Sequence, residues 1–324
     1  ENIPSVARVS LGQRLFNDNR LSADGTVSCA TCHSAKHAFA DGVAFGKGIA
    51  KTPLKMHTPT LWNLAWGNIF FWDGRAPSLE AQAKGPIENP LEMGTSIDAI
   101  VAKLRADQTY VSAFAAAFPD APEIAPQTLT KALASFQRTI VSPKTRFDKW
   151  IDGNPSALTA NEKHGFSIFI GKAGCANCHS GWAFSDFAFH DIGLPTDDKG
   201  RGAVIGRPAL DRAFKTPGLR ELKWTAPYMH NGSMATLEDV VRHYESGGVD
   251  RPTRSPDLPR GFSITDTERS DLIAFLKVLS SERLPQPAEM AGVTSAPMVT
   301  NLASTPKVGQ KDKKFLPERV RIAA

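Results

Sequence analysis

The sequence has no apolar run long enough to cross a lipid bilayer, and we therefore expect no membrane span. The longest candidate, near residues 271–280, is interrupted by Lys277. The chain also lacks a basic stripe with interleaved aromatic side chains, so its net charge of +5 gives no support to nucleic-acid binding. Strand-like alternation of apolar and polar residues is scarce, which favours a mostly helical fold.

Cysteine is scarce too. The chain has four cysteines, and all belong to two copies of one motif, at residues 29–33 (CATCH) and 175–179 (CANCH). No thiol remains for a disulfide or a cysteine-rich zinc site. The C-x-x-C-H motif is the attachment signature of a c-type haem, whose porphyrin edge bonds to both thiols while the histidine ligates the iron. The sequence therefore predicts two covalent haems. Their attachment residues are Cys29, Cys32 and His33 for the first haem, and Cys175, Cys178 and His179 for the second.

One motif in each half of the chain predicts two haem domains of ordinary size. We expect a mostly α fold of two tandem cytochrome c-like domains with long loops, over residues 1–145 and 146–285. Residues 286–324 are interrupted by prolines and carry six basic and three acidic side chains, which predicts an extended basic tail.

Several helices are marked by their first residues and by apolar spacing. Apolar residues recur at helical spacing over residues 6–16 and 128–141, and Pro143 ends the second run. N-terminal capping signals stand at Ser96, Thr159, Thr236 and Thr265. In the helix after Thr236, Tyr244 shares a face with the apolar residues and points inward.

The cellular location follows from the haem chemistry. Covalent haem attachment normally takes place outside the bacterial cytoplasm, and the chain begins with Glu1 and carries no leader. We therefore expect a periplasmic protein whose signal peptide has already been removed.

Three further segments resemble the bacterial dihaem cytochrome c peroxidase superfamily, and the resemblance covers roughly residues 8–280. They are residues 71–75 (FWDGR), 86–93 (PIENPLEM) and 225–232 (TAPYMHNG), in the order found in that family. The resemblance implies a haem oxidoreductase that reacts with hydrogen peroxide. An ordinary member places a methionine after the third segment as sixth ligand of the second haem. Here Tyr244 stands at that place, as in the MauG-like branch, where a tyrosine ligates the electron-transfer haem; His243 is the rival ligand.

The resemblance also implies roles around the first haem. Ordinary peroxidases carry a blocking histidine in the loop that corresponds to residues 46–51, and this chain has none there, so the His33 haem is expected to be five-coordinate. Glu92 matches the catalytic glutamate that moves protons during O–O cleavage. Trp72 matches the tryptophan that carries electrons between the haems. Gln82 and Pro86 match distal-pocket positions of the MauG-like branch, and Arg75 is expected to pair with a haem propionate.

The same resemblance implies a possible calcium ion between the domains, near His57, Thr225 and Pro227. In the family an asparagine stands beside this calcium, and His57 replaces it here, which weakens the calcium site.

The expected function is that of a dihaem enzyme that uses hydrogen peroxide to form a high-valent two-haem Fe(IV) state. That state would oxidise a periplasmic partner protein at long range, at tryptophan. MauG relays electrons through a tryptophan before the second motif, where this chain has Ala173 and Gly174, so Trp182 or Trp224 would offer another exit. One alternative is an ordinary cytochrome c peroxidase fed by a small cytochrome as redox partner. The other is a non-enzymatic dihaem electron carrier.

Overall fold

The computed structural model describes residues 2–284, so the predicted tail over 286–324 lies outside the described residues. The described part is mostly helical, as expected from the sequence. Its first six helices are α1 (Val6–Phe16), α2 (Cys29–Cys32), α3 (Leu79–Glu88), α4 (Ile97–Arg105), α5 (Gln108–Ala117) and α6 (Pro126–Gln137). The next five are α7 (Arg146–Ile151), α8 (Ala160–Ile170), α9 (Arg201–Ile205), α10 (Leu237–Ser246) and α11 (Asp266–Val278).

Sheet structure within residues 2–284 is limited to two short strands, β1 (Phe189–His190) and β2 (Phe214–Lys215). They pair antiparallel, with Phe189 opposite Lys215 and His190 opposite Phe214. Long loops and single 3₁₀ turns connect the other elements. None of the helices in this part of the chain combines the length and apolar character that a bilayer crossing requires.

The buried side chains form two large hydrophobic clusters, one in each half of the chain. The first extends from Val9 to Ile140 and is built mainly from α1 and α3–α6. The second extends from Phe147 to Leu279 and is built mainly from α7, α8, α10 and α11. Each cluster lies beside one haem-attachment motif, while the domain boundary at residue 145 stays a prediction.

A helix crossing in the first cluster depends on a glycine. At Gly12 of α1, a Cβ atom would lie 2.0 Å from the carbonyl oxygen of Ala132 in α6, so only glycine permits this approach. One turn further along each helix, the rings of Phe16 and Phe136 pack with their centroids 5.0 Å apart.

The second cluster repeats this crossing with α8 and α11. At Gly165 a Cβ atom would lie 2.0 Å from the carbonyl oxygen of Asp271, and the rings of Phe169 and Phe275 pack at 5.2 Å. Both halves therefore place a glycine and, four residues later, a phenylalanine on the helix that precedes the haem motif. This repeat extends beyond the two C-x-x-C-H motifs.

The capping signals are confirmed at all four positions, because Ser96, Thr159, Thr236 and Thr265 are the N-cap residues of α4, α8, α10 and α11. The bounds predicted for the helix over 128–141 were wrong. α6 spans Pro126–Gln137, because Asn63 holds the chain that follows. The Asn63 amide donates to the Ile140 carbonyl at 2.8 Å, and its side-chain oxygen accepts from the Ser142 amide at 3.0 Å.

The two halves meet through backbone contacts before and within the first peroxidase-like segment. The His57 amide donates to the His230 carbonyl at 2.9 Å, and the Lys215 amide donates to the Trp72 carbonyl at 2.8 Å. Gly232 has φ +60, and a Cβ atom there would lie 2.6 Å from the Cα atom of Ala44. These contacts are specific enough to fix the orientation of the two halves.

Candidate active site

A single cavity of about 550 Å³ is shared by the two halves. Its wall contains His33 from the first motif and His179 from the second, with Trp72 as a third component. The wall also contains the predicted site residues Gln82, Pro86, Glu92, Arg75 and Tyr244. The fold thus brings together residues that are far apart in the sequence.

The four cysteines are free thiols. Burial raises the pKa of Cys29 and of Cys175 to about 12, and that of Cys32 to about 11. Helix α2 carries the first pair, and its N-cap amide at Ser28 donates to the Thr31 hydroxyl at 2.9 Å. Neither pair is joined in a disulfide, so both pairs fit the thioether attachment of a haem.

The motif histidines are held in the same way in both halves. His33 Nδ1 lies 2.9 Å from the Phe39 carbonyl oxygen, and His179 Nδ1 lies 2.9 Å from the Phe184 carbonyl oxygen. Both phenylalanines have positive φ, +57° and +53°, which is rare for a residue with a side chain. Burial lowers the pKa of both histidines. A neutral ring with Nδ1 engaged leaves Nε2 for a metal.

The cavity wall also carries polar atoms that have no partner within residues 2–284. In this part of the chain Trp62 Nε1 and His230 Nε2 are buried without a hydrogen bond, although both side chains line the cavity. Burial lowers the pKa of His230 to about 4, so its ring is neutral. Buried polar atoms normally find partners, and a bound group with polar edges would supply them. The free thiols, the oriented histidines and these atoms fit a haem at each motif.

Glu92 lies in the loop after α3 and faces the cavity. Burial raises its pKa, and the Asn89 amide donates to its carboxyl oxygen at 2.7 Å. A carboxyl group with a raised pKa holds a proton more readily than a free carboxylate does, which suits a group that must accept a proton and return it. Gln82 and Pro86 come from α3 itself, so this helix and its end supply one wall of the cavity.

The histidine-free loop 46–51 packs directly on the backbone of Glu92. The Ile49 amide donates to the Glu92 carbonyl at 2.9 Å. At Gly48 a Cβ atom would lie 1.8 Å from the Leu91 carbonyl oxygen and 2.8 Å from the Glu92 Cα atom. The loop therefore holds the backbone of Glu92 in place, and only glycine fits at position 48, where the two segments approach most closely.

Trp72 lines the cavity where the two halves meet. Its indole Nε1 donates to the His57 carbonyl at 2.9 Å, and its own carbonyl accepts from the Lys215 amide. Arg75, three residues later, also lines the cavity but binds Asp73 at 2.8 Å and lies 3.5 Å over the Phe71 ring. The propionate contact of Arg75 stays a prediction.

The two candidate sixth ligands of the second haem have different surroundings. Tyr244 lines the cavity, and burial raises the pKa of its hydroxyl. His243 instead places Nε2 at 2.9 Å from the Ile192 carbonyl oxygen. Both residues lie on α10, whose buried face contains Leu237 and Val241. The geometry favours Tyr244 over His243.

The residues near the predicted calcium site lie at the junction between the halves. His57 is buried, and its Nδ1 lies 2.9 Å from the Val43 carbonyl oxygen. The Thr225 hydroxyl donates to the Leu222 carbonyl at 3.1 Å, and both Thr225 and Pro227 line the cavity.

The sequence reasoning missed a cluster beside the second motif. His190 in β1 lines the cavity, with Nε2 at 2.8 Å from the Asp186 carboxylate and Nδ1 at 2.9 Å from the Ser255 hydroxyl. The hydrogen bond to Asp186 raises the pKa of His190 to about 10. Cys178 lies close enough to complete a three-ligand set for a metal, but this thiol belongs to the haem motif. Local spacing gave no signal, because Ser255 reaches the cluster only through the fold.

Comparisons with known proteins agree with this geometry. The family model of the di-haem cytochrome c peroxidases matches residues 6–156. The methylamine utilization protein MauG of Methylorubrum extorquens is 48% identical over 278 residues, which cover 85% of this chain and 78% of that protein. The chain therefore belongs to the dihaem cytochrome c peroxidase family. It is a haem oxidoreductase of the peroxidase type that carries two c-type haems.

Further relatives define the branch. The crystal structure of a MauG-like protein associated with microbial copper homeostasis superposes with a TM-score of 0.82 at 33% identity, over 89% of this chain and 93% of that one. The cytochrome-c peroxidase IdrP1 of Denitromonas iodatirespirans is 35% identical, over 86% of this chain and 83% of that protein. The similarity to MauG places the chain in the MauG-like branch of the family.

Proposed function

We propose that this enzyme uses hydrogen peroxide to oxidise a partner protein at long range, at tryptophan. The observation that carries the proposal is the shared cavity, in which Glu92, Trp72 and Tyr244 line the wall with both motif histidines. When bound, the two haems supply the redox chemistry, because together they accept the two oxidising equivalents of one peroxide molecule. The protein must then admit peroxide at one haem, provide an electron path between the two haems, and fill the sixth ligand position of the second haem.

Each of these tasks has a residue in the cavity wall. Glu92 takes a proton from the bound peroxide and returns it to the departing oxygen, which makes the O–O cleavage heterolytic. Its raised pKa suits both directions of transfer. Trp72 lines the cavity, and its carbonyl accepts from the Lys215 amide of the second half, which supports a role as the electron path between the haems. Tyr244 would hold the iron of the second haem through its phenolate, a hard anionic donor that favours high oxidation states.

The first experiment is an electron paramagnetic resonance spectrum of the oxidised enzyme, repeated after one equivalent of peroxide without reductant. We expect one high-spin and one low-spin ferric signal, both lost on peroxide addition. The Glu92→Gln variant should retain both signals after the addition, and Glu88→Gln is the matched control, because Glu88 is an exposed carboxylate at the end of the same helix. Two low-spin signals that do not respond to peroxide would contradict the proposal.

A second candidate is an ordinary cytochrome c peroxidase, which the 35% identity to IdrP1 favours. Steady consumption of peroxide with a reduced small cytochrome as electron donor would support this function. Against it stand Tyr244 in place of a methionine and the absence of histidine from the loop 46–51.

The location and the calcium ion belong to the same proposal. Haem attachment outside the cytoplasm favours the periplasm, and cell fractionation of the producing bacterium tests this location.

Calcium takes oxygen ligands, whereas the His57 side chain offers nitrogen, and its Nδ1 already contacts the Val43 carbonyl oxygen. This side chain does not fit a calcium ligand, so calcium near Thr225 and Pro227 would need its oxygen ligands from other groups. Metal analysis of the purified protein tests that prediction.

A further inference from the structure

Two tryptophans, one from each half, form a contact pair beside the second haem motif. The ring centroids of Trp66 and Trp182 are 4.6 Å apart, with an interplanar angle of 69°. Trp182 is the third residue after the iron ligand His179. Trp66 is 38% exposed, and the five other tryptophans, which all lie within residues 2–284, are less accessible. An oxidisable ring at the surface is thus paired with one close to the haem ligand.

Direct contacts continue from this pair to the iron ligand. The Arg220 guanidinium lies 5.2 Å from the Trp182 ring centroid and 5.9 Å from that of Phe184. The Arg220 side chain also donates to the Trp182 carbonyl. The Phe184 carbonyl in turn accepts from His179 Nδ1 at 2.9 Å. The path from solvent to His179 therefore contains no gap.

The charge along this path is balanced. A guanidinium alone beside an indole would oppose the loss of an electron from the ring. Here the Asp148 carboxylate binds Arg220 in a bidentate pair, with N–O distances of 2.8 and 2.9 Å. Arg220 itself is buried, so the pair is poorly screened by solvent. The carboxylate offsets the positive charge that Trp182 experiences.

We propose that Trp66 and Trp182 form the relay through which electrons enter the second haem from an oxidisable aromatic side chain of the partner protein. This inference rests on the proposed function. In each step one electron passes from the donor to Trp66, then to Trp182, then to the haem pair, so the donor is oxidised and the haem pair is reduced. Two such steps, with two protons, balance the reduction of one hydrogen peroxide molecule to two water molecules. No bond of either tryptophan forms or breaks.

Two other tryptophans serve as comparisons. Trp224 has its Nε1 buried without a partner among the described residues, and the Lys223 ammonium lies 4.2 Å from its ring. Trp150 packs between Phe147 and Phe166 in the second cluster. Neither forms a tryptophan pair, and neither is strongly exposed. The relay assigned to Trp66 and Trp182 predicts that these two rings carry no electrons.

The test treats the haem-loaded full chain with excess hydrogen peroxide in the absence of any reductant, and maps tryptophan oxidation by peptide mass spectrometry. We expect oxidation products at Trp66 and Trp182 and none at Trp150. The Trp182→Phe variant should lose the oxidation of Trp66, whereas Trp66→Phe should keep the oxidation of Trp182. Trp150→Phe is the matched control and should retain the wild-type pattern. Haem absorbance per protein verifies that each variant carries both haems.

Several results would overturn the relay. Oxidation of Trp66 in Trp182→Phe at the wild-type level would show that electrons bypass Trp182. Oxidation concentrated at Trp224 would assign the path to a different surface. If the haem spectra change with peroxide while Trp66 stays unmodified, only the relay is wrong. If the haem spectra do not change at all, the proposed function is wrong and the relay is wrong with it.

Discussion

The three tyrosine hydroxyls of this chain have different surroundings. Tyr110 donates to the Asp18 carboxylate at 2.7 Å, and Tyr228 donates to the Leu222 carbonyl at 3.3 Å. Within residues 2–284, the Tyr244 hydroxyl has no protein acceptor, although burial raises its pKa. The side chain lines the cavity, and iron of the second haem would give its oxygen a partner.

Replacing Tyr244 by phenylalanine should therefore change the second haem. We expect Tyr244→Phe to lose the low-spin ferric signal of that haem, because phenylalanine has no atom that can replace the proposed phenolate ligand. Tyr228→Phe is the control, since Tyr228 also lines the cavity but already has an acceptor. Electron paramagnetic resonance of both variants provides the measurement. An unchanged low-spin signal in Tyr244→Phe would transfer the ligand role to His243.

The raised pKa of Glu92 predicts how the peroxide reaction depends on pH. A carboxylate that accepts a proton acts only above its pKa, so the reaction rate should fall as the pH is lowered through a value above the ordinary 4.5. Glu92→Gln should slow the reaction by about 10²–10⁴-fold and remove this pH dependence. Stopped-flow absorbance of the haems measures both effects. Glu88→Gln should keep the wild-type rate and profile, and the same loss in both variants would refute the role of Glu92.

At the scale of elements, the two glycine crossings set the packing of the helix that precedes each haem motif. Replacing a helical glycine by alanine normally stabilises a helix by about 1 kcal/mol. At Gly12 and Gly165 the added Cβ atom meets a carbonyl oxygen at 2.0 Å, so the helices must separate. We expect Gly12→Ala and Gly165→Ala each to lower the free energy of unfolding by about 1–3 kcal/mol.

Chemical denaturation of the holoprotein measures these changes. Ser10→Ala in α1 and Ser167→Ala in α8 are matched controls, because both serines are exposed on the same helices. Their stability should stay within about 0.5 kcal/mol of the wild type. A stabilised Gly165→Ala variant would mean that α8 and α11 do not cross at the observed distance.

Most element boundaries could be predicted from local chemistry, and the exceptions have a physical reason. Capping residues act within one helical turn, so Ser96, Thr159 and Thr265 identify the starts of their helices. The end of α6 depends on Asn63, which is distant in sequence and binds the chain beyond Gln137. The glycine crossings were missed for the same reason, since a close approach between two helices leaves no mark in either sequence alone.

For the whole molecule, the decisive feature is the junction that makes the two halves share one cavity. Gly232 has φ +60°, and a Cβ atom added there would lie 2.6 Å from the Cα atom of Ala44. We expect Gly232→Ala to separate the halves there and to change the haem spectra. Gly206 is a matched control with φ +66 and open space around it, so Gly206→Ala carries the backbone strain without the clash.

The measurement compares the free energy of unfolding of the two glycine variants and the paramagnetic signals of their haems. Gly232→Ala should be less stable than Gly206→Ala by about 1–3 kcal/mol. Equal stability and identical spectra would show that the junction tolerates displacement at Ala44.

The resemblance to the dihaem peroxidases predicted which residues line the cavity better than it predicted the contacts that these residues make. Trp72, Gln82, Pro86, Glu92 and Tyr244 all line the cavity, although their roles stay proposals. The cluster of His190, Asp186 and Ser255 and the pairing of Trp66 with Trp182 could not be predicted. Both depend on how the halves and their loops are arranged in space, and no local spacing encodes that arrangement.

The positive-φ phenylalanines that hold the motif histidines link the packing of the core to the orientation of the iron ligands. Phe39 and Phe184 are buried core residues, and their carbonyls are also the acceptors for His33 and His179. A change that repacks either core would therefore turn the imidazole of the motif histidine, and with it the ligand that would set the reduction potential of the haem iron. Directed evolution for thermal stability in this scaffold would retune its electrochemistry at the same positions.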